Sequence, residues 1–114
     1  MGLLTDAVRE LQRALAAPGS GLREQEALAQ CFLDLGRPEL ALATLEHPAA
    51  SAVAAGTPSD TLLAVHYVLA ESARVVGRLR DARAWYVRVL ASDYGFRDAA
   101  ARLAALPPDP PPTP

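Results

Sequence analysis

Apolar residues recur every three or four positions along most of this chain, which is the period of an amphipathic α-helix. The first such stretch places Leu4, Val8, Leu11 and Leu15 on one face and ends before Pro18. The pattern predicts six helices, over about 4–17, 22–35, 38–46, 57–76, 79–91 and 97–106. We therefore expect an all-α protein with one helical domain over residues 1–106.

Three glycines stand at matching points of this pattern. Gly2, Gly36 and Gly77 are separated by 34 and 41 residues, and each precedes an alanine by five positions. Gly36 and Gly77 directly follow predicted helices, so we expect them to end those helices in the left-handed backbone conformation that favours glycine. The longer spacing is explained by an insertion, which we place in 47–58 because that segment lacks periodicity and holds Pro48.

The second and third units agree at further positions: Leu28 and Ala29 correspond to Leu69 and Ala70, Ala41 to Ala82, and Leu45 to Tyr86. This pattern resembles the tetratricopeptide repeat (TPR), in its bacterial form, over residues 2 to about 92. The resemblance implies an antiparallel helix-pair solenoid of about two and a half repeats, followed here by a capping helix. Gln25 and His66 stand where the family carries a tryptophan.

In this family the first helix of each pair lines a concave groove that holds peptides or partner helices. The resemblance places ten residues in that groove: Arg23, Glu26, Gln30, Leu33, Asp34, Ala64, Tyr67, Glu71, Arg74 and Val75. Leu33, Tyr67 and Arg74 are the expected anchors, because apolar, aromatic and Arg side chains suit this role. Chaperone-binding members use Lys and Asn to hold a carboxylate where this chain has Glu26 and Gln30, so that mode of binding is not expected.

The first predicted helix has no preceding partner helix. Its apolar face, formed by Leu4, Val8, Leu11 and Leu15, is therefore expected to be an exposed end that self-associates or accepts a partner helix. On this interpretation Gly2 holds an inter-helix turn. Either the chain is a piece of a longer array, or its first helix is covered by another molecule.

Composition and charge argue against several classes of function. The formal net charge is -2 and all 11 basic residues are Arg, which argues against a dedicated nucleic-acid binder. An alternative of that kind would use the Arg cluster at residues 74, 78, 80, 83 and 88. The chain has one cysteine and neither a signal-peptide pattern nor a run of about 18 apolar residues. We therefore predict a cytoplasmic protein without a membrane partner.

The sequence shows no catalytic constellation, and we expect no cofactor and no metal. His47 and His66 share no local motif; we expect His47 at a helix end and His66 packed or lining a groove. Cys31 is expected in the core, and residues 107–114 form a Pro-rich tail that we expect to be disordered. The predicted function is a non-enzymatic protein-interaction scaffold, with a small chaperone-like or regulatory subunit of a larger bacterial assembly as the alternative.

Overall fold

The computed structural model describes residues 2–16 and 21–108. These residues form six α-helices and no β-strand. The helices are α1 (Gly2–Ala16), α2 (Leu22–Asp34), α3 (Pro38–Ala54), α4 (Leu63–Val76), α5 (Leu79–Ser92) and α6 (Ala99–Ala105), and a 3₁₀ turn (Ser59–Leu62) precedes α4. The all-helical prediction is confirmed for these ranges. The predicted stop at Pro18 and the predicted tail from residue 109 onward lie outside the described residues.

Glycines end two of the helices as predicted. Gly36 has a φ of 76° and Gly77 a φ of 88°. After each glycine the next backbone N–H turns back onto the preceding helix, since Arg37 donates to the Phe32 carbonyl and Arg78 to the Ala73 carbonyl, both at 2.8 Å. Gly2 does not share this role, because it is the first residue of α1 rather than part of an inter-helix turn. The prediction for Gly2 is therefore wrong, although its spacing fits.

This difference between the glycines can be measured. A Cβ added at Gly77 or at Gly2 meets no atom within 4 Å, so only the backbone conformation decides the cost. We expect Gly77→Ala to lower the free energy of unfolding by about 1–2 kcal/mol, the cost of a left-handed L-residue. Gly2→Ala should be neutral or slightly stabilising, because alanine favours a helix. Urea denaturation checks both, and equal losses would show that Gly2 also holds a left-handed turn.

The third helix is longer than predicted. We expected α3 to end near Glu46 and an irregular insertion to follow, but α3 continues through Pro48 to Ala54. A proline inside a helix removes one donor, here the one for the Thr44 carbonyl. The alanine-rich sequence after Pro48 has the highest helix propensity and outweighs that loss. The extended helix ends at Gly56, whose φ is 80°, so the insertion lengthens α3 by about two turns.

Two helix starts also differ from the prediction. The fourth predicted helix, over 57–76, begins later: Ser59–Leu62 forms a 3₁₀ turn, which Pro58 precedes without a side-chain cap, and α4 starts at Leu63. Helix α6 begins at Ala99 rather than at Arg97. Arg97 has a φ of 46° and therefore cannot belong to a right-handed helix.

Consecutive helices pack against one another from α1 to α6, and α2 also contacts α4. The small residues at matching positions of the two units, Ala29, Ala41, Ala70 and Ala82, are all completely or almost completely inaccessible. Large side chains, Leu45 and Tyr86 above all, fill the space around them. Leu106 is buried and Leu103 packs against the same core, so α6 covers this end of the helix stack as expected.

Candidate interaction surfaces

The N-terminal half of the predicted groove is an open cavity between α2 and α4. Arg23 and Glu26 of α2 line it together with Ala64 of α4, and its volume is about 350 Å³. Neither charged side chain makes a hydrogen bond or an ion pair within the described ranges. The structure thus brings together three of the predicted groove residues around a space that is open to a ligand.

The remaining groove residues of α2 lie further along the helix. The Gln30 amide donates to the Asp34 carboxylate at 2.9 Å, so these two polar side chains bind each other. Leu33 packs against the hydrophobic core and is only partly exposed. None of the three lines the cavity.

Tyr67, the predicted aromatic anchor on α4, is covered by the segment that leads into α6. Tyr67 is buried, its hydroxyl donates to the Asp98 carboxylate, and the Phe96 ring lies edge-on at 5.8 Å between centroids. The Arg97 guanidinium stacks over the Tyr67 ring at 5.1 Å. Tyr67 is therefore not an exposed anchor. Asp98 is itself exposed and reaches the Tyr67 hydroxyl from the turn before α6, where Arg97 has a φ of 46°.

A network of charged and phenolic groups continues this contact. Glu71 accepts a hydrogen bond from the Tyr86 hydroxyl, and its carboxylate lies 3.3 Å from Arg74 and 3.7 Å from Arg102. Burial raises the pKa of Tyr67 to about 12 and also raises that of Tyr86, with the hydrogen bonds to carboxylates acting in the same direction. Both phenols stay protonated and remain donors. Of the predicted groove residues at this end, Val75 alone is largely exposed.

The apolar face of α1 is turned toward α2. Val8 is buried rather than exposed, and Leu4, Leu11 and Leu15 are half-buried, because α1 packs on α2. The most exposed large apolar side chain of this helix is Leu3, at 86%. Leu4 also lines a depression between the start of α1 and the end of α2, next to Leu35. The predicted apolar end is thus smaller than the sequence pattern indicates.

The Arg cluster is partly neutralised. Arg74 pairs with Glu71, and Arg78 lies 2.6 Å from Glu46 and 2.7 Å from Asp81. Arg83 donates to the Pro107 carbonyl at 2.6 Å. Arg80 and Arg88, the other two members of the cluster, make no hydrogen bond or ion pair within the described ranges.

A second cleft lies between α3, α4 and α5, and no local sequence pattern predicts it. Two adjoining cavities of about 360 and 370 Å³ share the same three lining residues, Val53, His66 and Arg88. The sequence signal was His66 itself, which was expected to be packed or to line a groove; it is buried and lines both cavities.

His66 is the main titratable group of this cleft, and it is only 6% exposed. Burial lowers its pKa from the ordinary value of 6.5, and the positive charge of Arg88 lowers it further. The imidazole is therefore neutral at physiological pH. Glu46, which also lines the cleft, is paired with Arg78 at 2.6 Å.

We expect His66 to make stability depend on pH. Because the unfolded chain takes up the imidazole proton more readily than the folded protein, the free energy of unfolding falls as the pH drops below 6.5 toward the lowered folded-state pKa. Melting temperatures measured between about pH 7.5 and pH 5.5 check this. His66→Gln should flatten the dependence, whereas His47→Gln, at an exposed position on α3, should leave it unchanged. Parallel curves for all three proteins would contradict the assignment.

Few other side chains are candidates for a reactive or metal-binding role. Cys31 is half-buried rather than fully in the core, and burial raises the pKa of its thiol. Within residues 2–16 and 21–108, no three His, Cys, Asp or Glu side chains lie together as a metal site would require. No helix in those ranges combines the length and the apolar character needed to cross a membrane.

Comparison of this chain with protein-family models, with curated proteins and with solved structures gives no significant match.

Proposed function

We propose that this chain is a non-enzymatic protein-interaction module, built as a TPR-like helix-pair solenoid, that holds a peptide or a partner helix between α2 and α4. The observation that carries the proposal is the open cavity between these two helices. It lies at positions that the TPR resemblance assigns to the groove, and within residues 2–16 and 21–108 the side chains of Arg23 and Glu26 make no hydrogen bond or ion pair.

The packing order supports the solenoid part of the proposal. Each helix packs on the next and α2 contacts α4, as the first helices of successive pairs do in a solenoid. Gly36 and Gly77 end α2 and α4 with the same backbone geometry. Leu103 of the last helix and Leu106, the residue after it, pack on the core at this end, as a capping helix would.

The cavity also indicates what a partner must supply. One basic residue, Arg23, and two acidic residues, Glu26 and Asp60, line the cavity, while Ala64 and Val65 provide a small apolar floor. A peptide that carries both an acidic and a basic side chain around a small apolar residue fits this surface. Such charge pairs favour selectivity more than affinity, so binding in the micromolar range is expected.

Peptide-library selection on the immobilised full chain tests the proposal. Enriched peptides should bind in solution by fluorescence polarisation, and Ala64→Arg, which fills the cavity floor, should weaken them by roughly tenfold or more. Ala84→Arg, the same change at an exposed position of α5, is the matched control. The proposal fails if no peptide is enriched, or if Ala64→Arg and Ala84→Arg bind alike.

A further inference from the structure

We propose that the cleft between α3, α4 and α5 binds a small monocarboxylate with an apolar body, held by Arg88 and His66. This site shares no lining residue with the α2–α4 cavity. The inference therefore goes beyond the proposed function and stands or falls separately from it.

The cleft has the size and the lining of a small-molecule site. Its two cavities, of about 360 and 370 Å³, meet at Val53, His66 and Arg88, and each is within the range typical of ligand pockets. Val53 and Ala50 of the extended α3 form one wall, and Trp85 and Val89 of α5 form parts of the other. The cleft depends on the last two turns of α3, since an irregular segment after Glu46 would not supply this wall.

His66 points to a ligand because its ring has no protein partner. It makes no hydrogen bond within the described residues. No buried side-chain nitrogen or oxygen there is both unbonded and sealed from solvent, so the unbonded ring nitrogens of His66, which lines both cavities, are accessible to solvent. A neutral imidazole offers one donor and one acceptor, and a polar group at the floor of an apolar cleft is usually satisfied by a ligand or by water.

The charges of the cleft select an anion. Arg88 is exposed at its rim and makes no ion pair within the described ranges. The carboxylate of Glu46 is already bound by Arg78 at 2.6 Å. The cleft therefore has one guanidinium available, and a guanidinium binds a carboxylate through two parallel hydrogen bonds. Thr57 and Ser59 line one cavity beside Arg88, whereas the other is lined mainly by Ala49, Ala50, Val53, Ala54 and Trp85. One positive charge beside this apolar second cavity suits a monoanion with a hydrocarbon or aromatic body better than a phosphate.

Trp85 provides a direct readout, because it is the only tryptophan in the chain and it lines the cleft. Titration of the full chain with octanoate should change its fluorescence with a Kd on the order of 0.1–1 mM, and calorimetry should give the same value. Octanamide, which keeps the apolar body without the charge, and butyrate, which keeps the charge with a short body, should each bind roughly tenfold or more weakly.

Two variants locate the site. Arg88→Gln should weaken octanoate binding by roughly tenfold or more, whereas Arg80→Gln, the same change at another exposed arginine of α5, should not. Ala50→Phe, which narrows the cleft from the exposed side of α3, should also abolish binding in calorimetry. The proposal is overturned if octanoate does not bind at about 10 mM, if octanamide binds equally well, or if Arg88→Gln and Ala50→Phe both retain wild-type affinity.

Discussion

Replacing Leu45 with alanine is expected to lower the free energy of unfolding by roughly 2–5 kcal/mol, the range typical of leucines removed from a packed core. Leu45 has 0% exposure. It lies near the middle of α3, which packs on α2 on one side and on α4 on the other. A cavity at this position therefore weakens contacts to both neighbouring helices, and these helices are the two that form the proposed peptide groove.

Leu40→Ala is the matched control for this prediction. It makes the same chemical change on the same helix, but Leu40 is 43% exposed, so we expect a loss below about 1 kcal/mol. Urea denaturation followed by the helical circular dichroism signal compares the two variants with the wild-type protein. Similar losses for Leu45→Ala and Leu40→Ala would mean that the centre of α3 is not the core of the folded protein.

Much of the helical content could be predicted because its signals are local. The spacing of apolar residues located α1, α2 and α5 closely, and a left-handed glycine followed α2 and α4 as expected at Gly36 and Gly77. The same local logic failed at Gly2, where identical spacing accompanies a helical residue. A regular spacing of glycines indicates a structural repeat only when the backbone around each glycine has the same conformation.

The extension of α3 shows how two local signals can compete. Pro48 indicated a helix end, whereas the alanines after it favour continuation. The loss of one backbone N–H donor does not end a helix that packs on two neighbours, and Ala49 is buried in that packing. The sequence alone did not reveal this packing. The cleft at His66 was missed for the same reason, because one of its walls belongs to the unexpected part of the helix.

The covered half of the groove depends on contacts between distant residues. Tyr67 and Asp98 are 31 positions apart and Tyr86 and Glu71 are 15 apart, and no local pattern connects either pair. The TPR resemblance assigned Tyr67 to a binding surface by its position on the first helix of a pair. Its actual surroundings are set by Phe96, Arg97 and Asp98, which the turn before α6 brings onto α4.

Ala82→Leu is expected to destabilise the protein by roughly 1–3 kcal/mol or more, because a larger side chain must be fitted where two helices approach closely. Ala82 has 0% exposure, and Ala70 and Ala73 of the neighbouring α4 are equally inaccessible. Small residues on both helices allow this approach, so leucine at Ala82 must either push α5 away from α4 or adopt a strained rotamer.

Ala84→Leu is the matched control, because it makes the same substitution at an exposed position of the same helix. Leucine has nearly the same helix propensity as alanine, so this control should cost little stability. Denaturation of both variants should show a clear loss for Ala82→Leu and almost none for Ala84→Leu. Displacement of α5 would also move Trp85, whose fluorescence then differs from the wild-type protein before any denaturant is added. An Ala82→Leu variant with unchanged stability and fluorescence would show that α4 and α5 are not closely packed at this point.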